Sequence, residues 1–384
     1  MTAKEILILG GGVGGLVTAN ALRKSLGKEH RVILIDGHRQ YKFAPSFLWL
    51  MTGLRKSEKI CRDLSSLRRK GIEFVEGEIT AIDPAGKTVE VNGQHFSADY
   101  VVISLGAGLV PDSVPGIERN GHNFYSLEGA DGLRDALRSF QGGDLVVLIT
   151  SIPYKCPAAP YEAAMLLEYD CRKRKIRDEV EISLYAAEPA PMGVAGKEVS
   201  AAVRKMVEDK GIRYYPEHHL ASVDPGKNTL RFSNGAEAHF DLLAYVPKHE
   251  TPEVVRKAGL TDVSGWVPVD RNTLETKFPG VFAIGDVTGI PLAVGKPLPK
   301  AAVFAHNQAE VVAHNIAAAV TGEGNPMQFM GDGECFIELG DGKAGFARGN
   351  FYAEPLPKVK MFKPGRHWHA GKVLFEKDWL RRWF

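Results

Sequence analysis

A chain of 384 residues, 44% hydrophobic and 24% charged, is too long for one ordinary core and has the make-up of a soluble globular protein of two or three domains. A net charge of +2 argues against a nucleic-acid protein, which carries a strongly basic face, and no run approaches the roughly 18 apolar residues that span a bilayer. The four cysteines, Cys61, Cys156, Cys171 and Cys335, lack any C-x-x-C pairing, so zinc and thioredoxin-type chemistry are disfavoured and a functional pair is expected to be redox-active rather than structural.

The chain enters its first strand by Ile6, which leaves no room for a signal peptide. Ile6 to Leu9 reads as a buried parallel strand and Leu16 to Ser25 has helical spacing. Between them Gly10, Gly12 and Gly15 fit G-x-G-x-x-G. The first allows a tight turn, the second lets a pyrophosphate approach the backbone, and the third lets helix and strand pack closely. The helix N-terminus then offers free N–H groups and a positive dipole end to phosphates. Arg31 to Ile35 forms a second strand ending at Asp36, where an acid meets a ribose hydroxyl. A dinucleotide is expected here. Pro45 fixes the aromatic loop Tyr41 to Phe47, and a helix near Glu58 to Lys70 is expected to carry Cys61 as a half-buried small hydrophobe. Ile72 to Val75 is a short strand, and Glu78 to Ile82 with Thr88 to Val91 alternate as a hairpin. Tyr100 to Leu105 is another buried strand, closed by Gly106-Ala107-Gly108, whose small residues allow a second close approach to a cofactor.

After the linker-like Pro111 to Pro115, a second α/β unit follows: helix Ala130 to Phe140, strand Asp144 to Thr150, helix Glu162 to Lys175 and strand Glu181 to Tyr185. Its glycines are missing. Where a second fingerprint should stand, the chain reads Ser151 to Pro160 with Pro153, Pro157 and Pro160, which remove N–H donors, and with side chains in the way of a pyrophosphate. The unit has the shape of a nicotinamide-binding fold without its main instrument. Then come a helix over Gly196 to Lys210, Arg213 to Tyr215, a hairpin around Ala221 to Val223 and Thr229 to Phe232, and strand Leu242 to Val246. Val281 to Val287 is a buried strand with Asp286 at its end, and Pro297 to Lys300 leads into a long helix, Ala301 to Val320. A final sheet is expected from Cys335 to Leu339, Lys343 to Arg348 and Val359 to Phe362. In the ending, Phe375, Trp379, Leu380, Trp383 and Phe384 recur at helix-like spacing among Lys372, Lys377, Arg381 and Arg382. This suits an amphipathic helix in a membrane interface, or one packed on the body. His218, His219, His367 and His369 have no acidic or cysteine company in sequence and are read as surface or core, with no metal site.

The fingerprint, the small-residue strand end and Phe282-Ala-Ile-Gly-Asp286 together resemble the two-dinucleotide-domain flavoprotein superfamily. There the late acid meets the ribityl chain of FAD, which gives Asp286 that role. Within it, the chain resembles the sulfide:quinone oxidoreductase family over nearly its whole length, with the flavoprotein subunit of flavocytochrome c sulfide dehydrogenase beside it. Phe43-Ala-Pro-Ser46 resembles the family's Phe-Thr-Pro-Ser loop, Cys156 through Tyr161-Glu162 its Cys-x-x-x-x-Tyr-Glu segment, and Leu298-Pro299-Lys300 its Val-Pro-Lys element. Gly333-Glu334-Cys335-Phe336 resembles the strand of the second cysteine, and Gly371 to Lys377 the family's ending.

The resemblance implies an α/β flavoprotein of the disulfide-reductase type. A discontinuous FAD domain covers 1–109 and 242–322, a second Rossmann-like domain, degenerate for NAD(P), covers 110–241, and a small C-terminal β/α region covers 323–384. FAD would be held non-covalently, the first loop having no cysteine, by Gly10, Gly12, Gly15, Asp36, Pro45, Ile79, Gly106, Ala107, Asp286 and Lys300. It also implies that Cys156 and Cys335 form a redox pair beside the flavin. Hydrosulfide would open a disulfide or polysulfide bridge between them, leaving a persulfide and a thiolate, the latter on Cys335. Glu162 would accept a proton, Lys300 would favour the anionic reduced flavin, and Phe336, Phe346 and Phe351 would line a quinone slot. Sulfide and quinone are the implied partners, with peripheral attachment to the cell membrane through the tail, an otherwise cytoplasmic protein and a homo-oligomer. Two departures stand out: Phe124 to Glu128 lacks the third cysteine of many members, and Glu188-Pro189 leads to no histidine. A type II NADH:quinone dehydrogenase, a flavoprotein subunit serving a cytochrome or other partner, and a persulfide or disulfide reductase are the competing readings. The first and last need a pyridine-nucleotide site that the prolines oppose.

Overall fold

The computed structural model describes residues 2–384. Two parallel sheets organise it. The first has the order Val281–Ala283, Tyr100–Ile103, Glu5–Leu9, Arg31–Asp36, Glu73–Glu76, all parallel. Its central strand is covered on both faces, which explains an apolar run without alternation. Ile6 and Ile8 join the large core that holds the helices, while Leu7 and Leu9 join a smaller core with Val89, Val91 and Val255. The fingerprint helix Val13–Ser25 packs against the long helix Ala302–Thr321.

The second sheet runs Gly121–Asn123, Leu242–Val246, Gly143–Ile149, Val180–Ala186, Arg213–Tyr215, again all parallel. Leu242–Val246 pairs with Gly143–Ile149, so the chain returns to the first unit after this strand and not at residue 242. The crossing is made by an antiparallel pair, Gly108–Val110 with Lys248–Glu250. Three antiparallel strands, Asp332–Gly340, Lys343–Asn350 and Lys358–Gly365, then carry the C-terminal helix Arg366–Arg382.

Three expectations change. The helix expected over Glu58 to Lys70 is broken into Ser57–Ile60, a strand Cys61–Asp63 and a 3-10 helix Leu64–Lys70, so Cys61 lies in a strand. Pairing with Gln40–Lys42 and the cap that Asp63 gives the Ser65 N–H (2.8 Å) override the local helical pattern. The strand at Val281 stops at Ala283, because Gly285 turns at φ +74° into a short 3-10 segment. The C-terminal helix begins at Arg366, and Trp379 and Leu380 are buried against the body. Trp379 Nε1 donates to the Tyr41 hydroxyl at 2.8 Å and the Phe384 ring lies 5.1 Å from Tyr41, while Leu374 and Phe375 remain exposed. Among the described residues no helix is long and apolar enough to cross a membrane.

Candidate active site

The fingerprint loop is shaped by contacts only glycine permits. Gly10 turns at φ +98°, and a Cβ on Gly15 would stand 1.9 Å from the Gly10 carbonyl oxygen. A Cβ on Gly12 would meet nothing within 4 Å, which leaves the loop open where a pyrophosphate approaches. Asp36 ties this loop to its strand, accepting from the Gly11 N–H at 2.6 Å and the His38 N–H at 2.7 Å. Gly106 turns at φ +66° with open space around it, and Ala107 is buried beside it. Pro45 lies in the 3-10 turn Ala44–Ser46, and Ile79 opens the hairpin that follows Gly77, whose N–H donates to the Asp36 carbonyl at 2.9 Å.

Asp286 closes the cradle. Its Oδ1 is buried with no hydrogen-bond partner, and burial pushes the carboxyl up against the opposing charges of Lys155 and Lys300. A buried acceptor left open is costly, and a ribityl hydroxyl is the kind of donor that satisfies it. With the open glycine loop, these residues fit FAD. Lys300 is buried, its Nζ donating to the carbonyls of Asp286 (2.7 Å) and Thr288 (3.0 Å) and lying 3.3 Å from the Trp266 ring centroid. Burial pushes it down to about 7, with Asp286 opposing.

The backbone beside Lys300 positions the first cysteine, since the Cys156 N–H donates to the Lys300 carbonyl at 2.7 Å. Cys156 holds φ +51°, a conformation rare outside glycine and common at functional sites. Its carbonyl accepts from the Tyr125 hydroxyl at 3.2 Å and from the Ala159 N–H at 2.9 Å, where helix Ala159–Lys173 begins. That helix packs on strand Asp332–Gly340, which carries Cys335. The Cys335 Sγ donates to the Phe336 carbonyl at 3.1 Å. Burial, then Glu162, push the Cys156 thiol up to about 12, with Lys372 opposing. Burial pushes Cys335 well above the usual thiol range, and the charges of Cys156 and Glu162 add to it.

Glu162 joins the two cysteine-bearing elements. Its Oε1 accepts from the Glu338 N–H at 2.8 Å and from Lys372 Nζ at 2.9 Å. Burial opposes charge on Lys372, but Glu162 and Glu338 outweigh it and raise its pKa. Glu338 is buried and faces His369 Nδ1 at 3.0 Å, so His369 does have acidic company, contrary to the sequence reading. Lys372, Glu338 and His369 were missed because their partners are remote in sequence. The available signal was an acid inside the apolar strand Cys335 to Leu339.

The aromatic trio is not one site. Phe336 and Phe346 lie 5.1 Å apart, and Phe346 stacks on Trp368 at 4.3 Å, but Phe351 packs 5.1 Å from Phe304 in a cluster with Phe329 and Tyr352. In the second unit, the hydroxyls of Tyr154 and Tyr161 both donate to Glu188, just after strand Val180–Ala186. Both bonds fall on the Oε1 oxygen of Glu188, the acid at the end of the strand where a second ribose would be met.

Residues 4–309 match the pyridine nucleotide-disulphide oxidoreductase family. The sulfide-quinone reductase of Aquifex aeolicus (strain VF5) is 31% identical over 401 residues, spanning 98% of this chain and 90% of the relative. The mitochondrial sulfide:quinone oxidoreductase of Mus musculus is 24% identical over 366 residues, spanning 92% and 79%. The X-ray structure of the sulfide:quinone oxidoreductase from Aquifex aeolicus aligns with a TM-score of 0.90 at 28% identity, covering 99% of this chain and 91% of that one.

Proposed function

The chain belongs to the pyridine nucleotide-disulphide oxidoreductases and, within them, to the sulfide:quinone oxidoreductase family, and from this we propose how its own residues oxidise sulfide and pass the electrons to a quinone. It is an α/β oxidoreductase of that type, with FAD as cofactor. FAD would be held by the Gly10–Gly15 loop, Asp36, Pro45, Ile79, Gly106, Ala107, Asp286 and Lys300. When bound, it supplies a carrier that accepts two electrons from the sulfur side and yields them to the quinone.

Cys156 and Cys335 do the sulfur chemistry. Both are free thiols in the structure; in their oxidised, bridged form hydrosulfide attacks one sulfur and forms an S–S bond to that cysteine. The bridge bond breaks and its electron pair leaves on the other cysteine, Cys335, as thiolate. Burial and the charge of Glu162 disfavour the thiolate at both cysteines, with Lys372 opposing. Glu162 takes the proton from the persulfide, and Lys372 holds that carboxylate in place. Phe336 and Phe346, with Trp368, line the quinone side. Peripheral membrane attachment through exposed Leu374 and Phe375 with Arg381 and Arg382 fits a lipid-soluble acceptor.

The observation that carries the reading is the Glu162 carboxylate, which binds the Cys335 strand to the helix that follows Cys156. The test is anaerobic mixing of FAD-loaded protein with sulfide while following the visible flavin absorbance. Sulfide bleaches the flavin, Cys156→Ala or Cys335→Ala abolishes this, NADH does not replace sulfide, and added quinone restores the colour. Bleaching by NADH alone would overturn the sulfide reading.

A further inference from the structure

Glu162, Lys372, Glu338 and His369 come from three elements, the helix Ala159–Lys173, the strand Asp332–Gly340 and the C-terminal helix, yet form one file of ionisable groups. The inner end is Glu162, whose charge acts on both Cys156 and Cys335. Lys372 Nζ donates to Glu162 at 2.9 Å and is drawn by both Glu162 and Glu338. The two Glu338 oxygens lie 3.1 and 3.0 Å from His369 Nδ1. The side chains of Glu162, Lys372 and Glu338 are 3%, 8% and 1% exposed, whereas His369 is 30% exposed and reaches water.

Trp49 walls the file on one side, with the His369 ring edge-on at 5.9 Å and the Lys372 ammonium 5.0 Å from its centroid. Arg55 lies 4.4 Å over the same indole and is neutralised by Glu376 at 2.8 Å, which also accepts from the Ser46 hydroxyl at 2.7 Å. Buried charges at this density add little to stability compared with an apolar packing of the same volume. A file that begins at two reacting sulfurs and ends at solvent has a different use.

We infer that this file is the route by which the proton of each oxidised hydrosulfide leaves the sulfur chamber, with Lys372, Glu338 and His369 as positioning residues that act through Glu162. The inference rests on the sulfide reading above. Hydrosulfide arrives with one proton, and its sulfur stays as persulfide while an electron pair departs toward the quinone. The proton passes to Glu162. Lys372, on which the charges of both Glu162 and Glu338 act, relays it to Glu338; Glu338 passes one to His369 Nδ1, Nε2 releases one to water, and a tautomer shift resets the ring. Every group returns to its starting charge, and one proton leaves per hydrosulfide. Burial pushes the Glu338 carboxyl up against Lys372 and His369, which favours the protonated form a relay passes through.

The test uses FAD-loaded enzyme mixed anaerobically with sulfide, with a pH-indicator dye in weak buffer reporting proton release beside flavin bleaching. His369→Ala slows both by on the order of tenfold, and added imidazole restores both in proportion to its concentration. Glu338→Gln slows both, and imidazole does not restore them, because the break lies inside the protein. A His369→Ala enzyme that bleaches and releases protons at the wild-type rate overturns the route. So does one that is slowed with no response to imidazole, which marks a structural defect. Wild-type enzyme that sulfide fails to bleach sinks the sulfide reading itself, and the route falls with it.

Discussion

Lys300 is the residue whose surroundings argue most directly for a titration. Its ordinary value of 10.5 is pushed down to about 7 by burial, Asp286 opposing. The unfolded chain therefore holds a proton on this lysine across a pH window where the flavin-free fold does not. Stability from this group is fully present above about 10.5, declines as pH falls toward about 7, and is level below that. Denaturant midpoints of the flavin-free protein should fall by up to one proton's linkage between those limits, and Lys300→Met should remove that dependence. An unchanged slope in the variant would show that Lys300 is charged throughout. Asp286, Cys156 and Cys335 each sit at a motif, which is why the sequence put them forward as candidates. The partners of Glu162 were not legible there, since Lys372 is 210 positions away, and periodicity carries no information about ion pairs between elements.

At the scale of elements, the glycine loop separates two roles that the sequence pattern presents together. A methyl on Gly15 would collide with a backbone oxygen, which has no rotamer to retreat into, while a methyl on Gly12 has free space. Gly15→Ala should lower the unfolding midpoint of the flavin-free protein, at a cost of about 1–3 kcal/mol, and also lose FAD. Gly12→Ala should leave that midpoint unchanged and lower only FAD content, measured by absorbance after gel filtration. Equal destabilisation by both would mean that the loop is merely a tight turn. The parallel strands were readable because burial on both faces writes a continuous apolar run. The segment after Ser57 was not readable, because pairing of Cys61–Asp63 with Gln40–Lys42 is decided by tertiary contact rather than by local helical preference.

At the scale of the whole molecule, the C-terminal helix closes the fold and presents a surface. Inward, it contributes Trp379 to Tyr41, Glu376 to Arg55 and Lys372 to Glu162. Outward, Leu374 and Phe375 are 66% and 43% exposed. The aromatic spacing seen in the sequence thus records packing at Trp379 and an open face at Phe375, and only the structure separates them. Leu374→Ser with Phe375→Ser should weaken co-sedimentation with vesicles containing anionic lipid while sulfide bleaches the flavin at the wild-type rate. Undiminished vesicle binding would place membrane contact elsewhere.

The countercharge of Glu162 arrives with Lys372, long after Glu162 has been made. During synthesis the chain extends from its N-terminus, and early units fold first. A nascent chain that has already closed its glycine loop thus lacks the cation that neutralises its buried glutamate until residue 372 emerges. A chain that ends before residue 372 keeps Glu162 without its lysine partner.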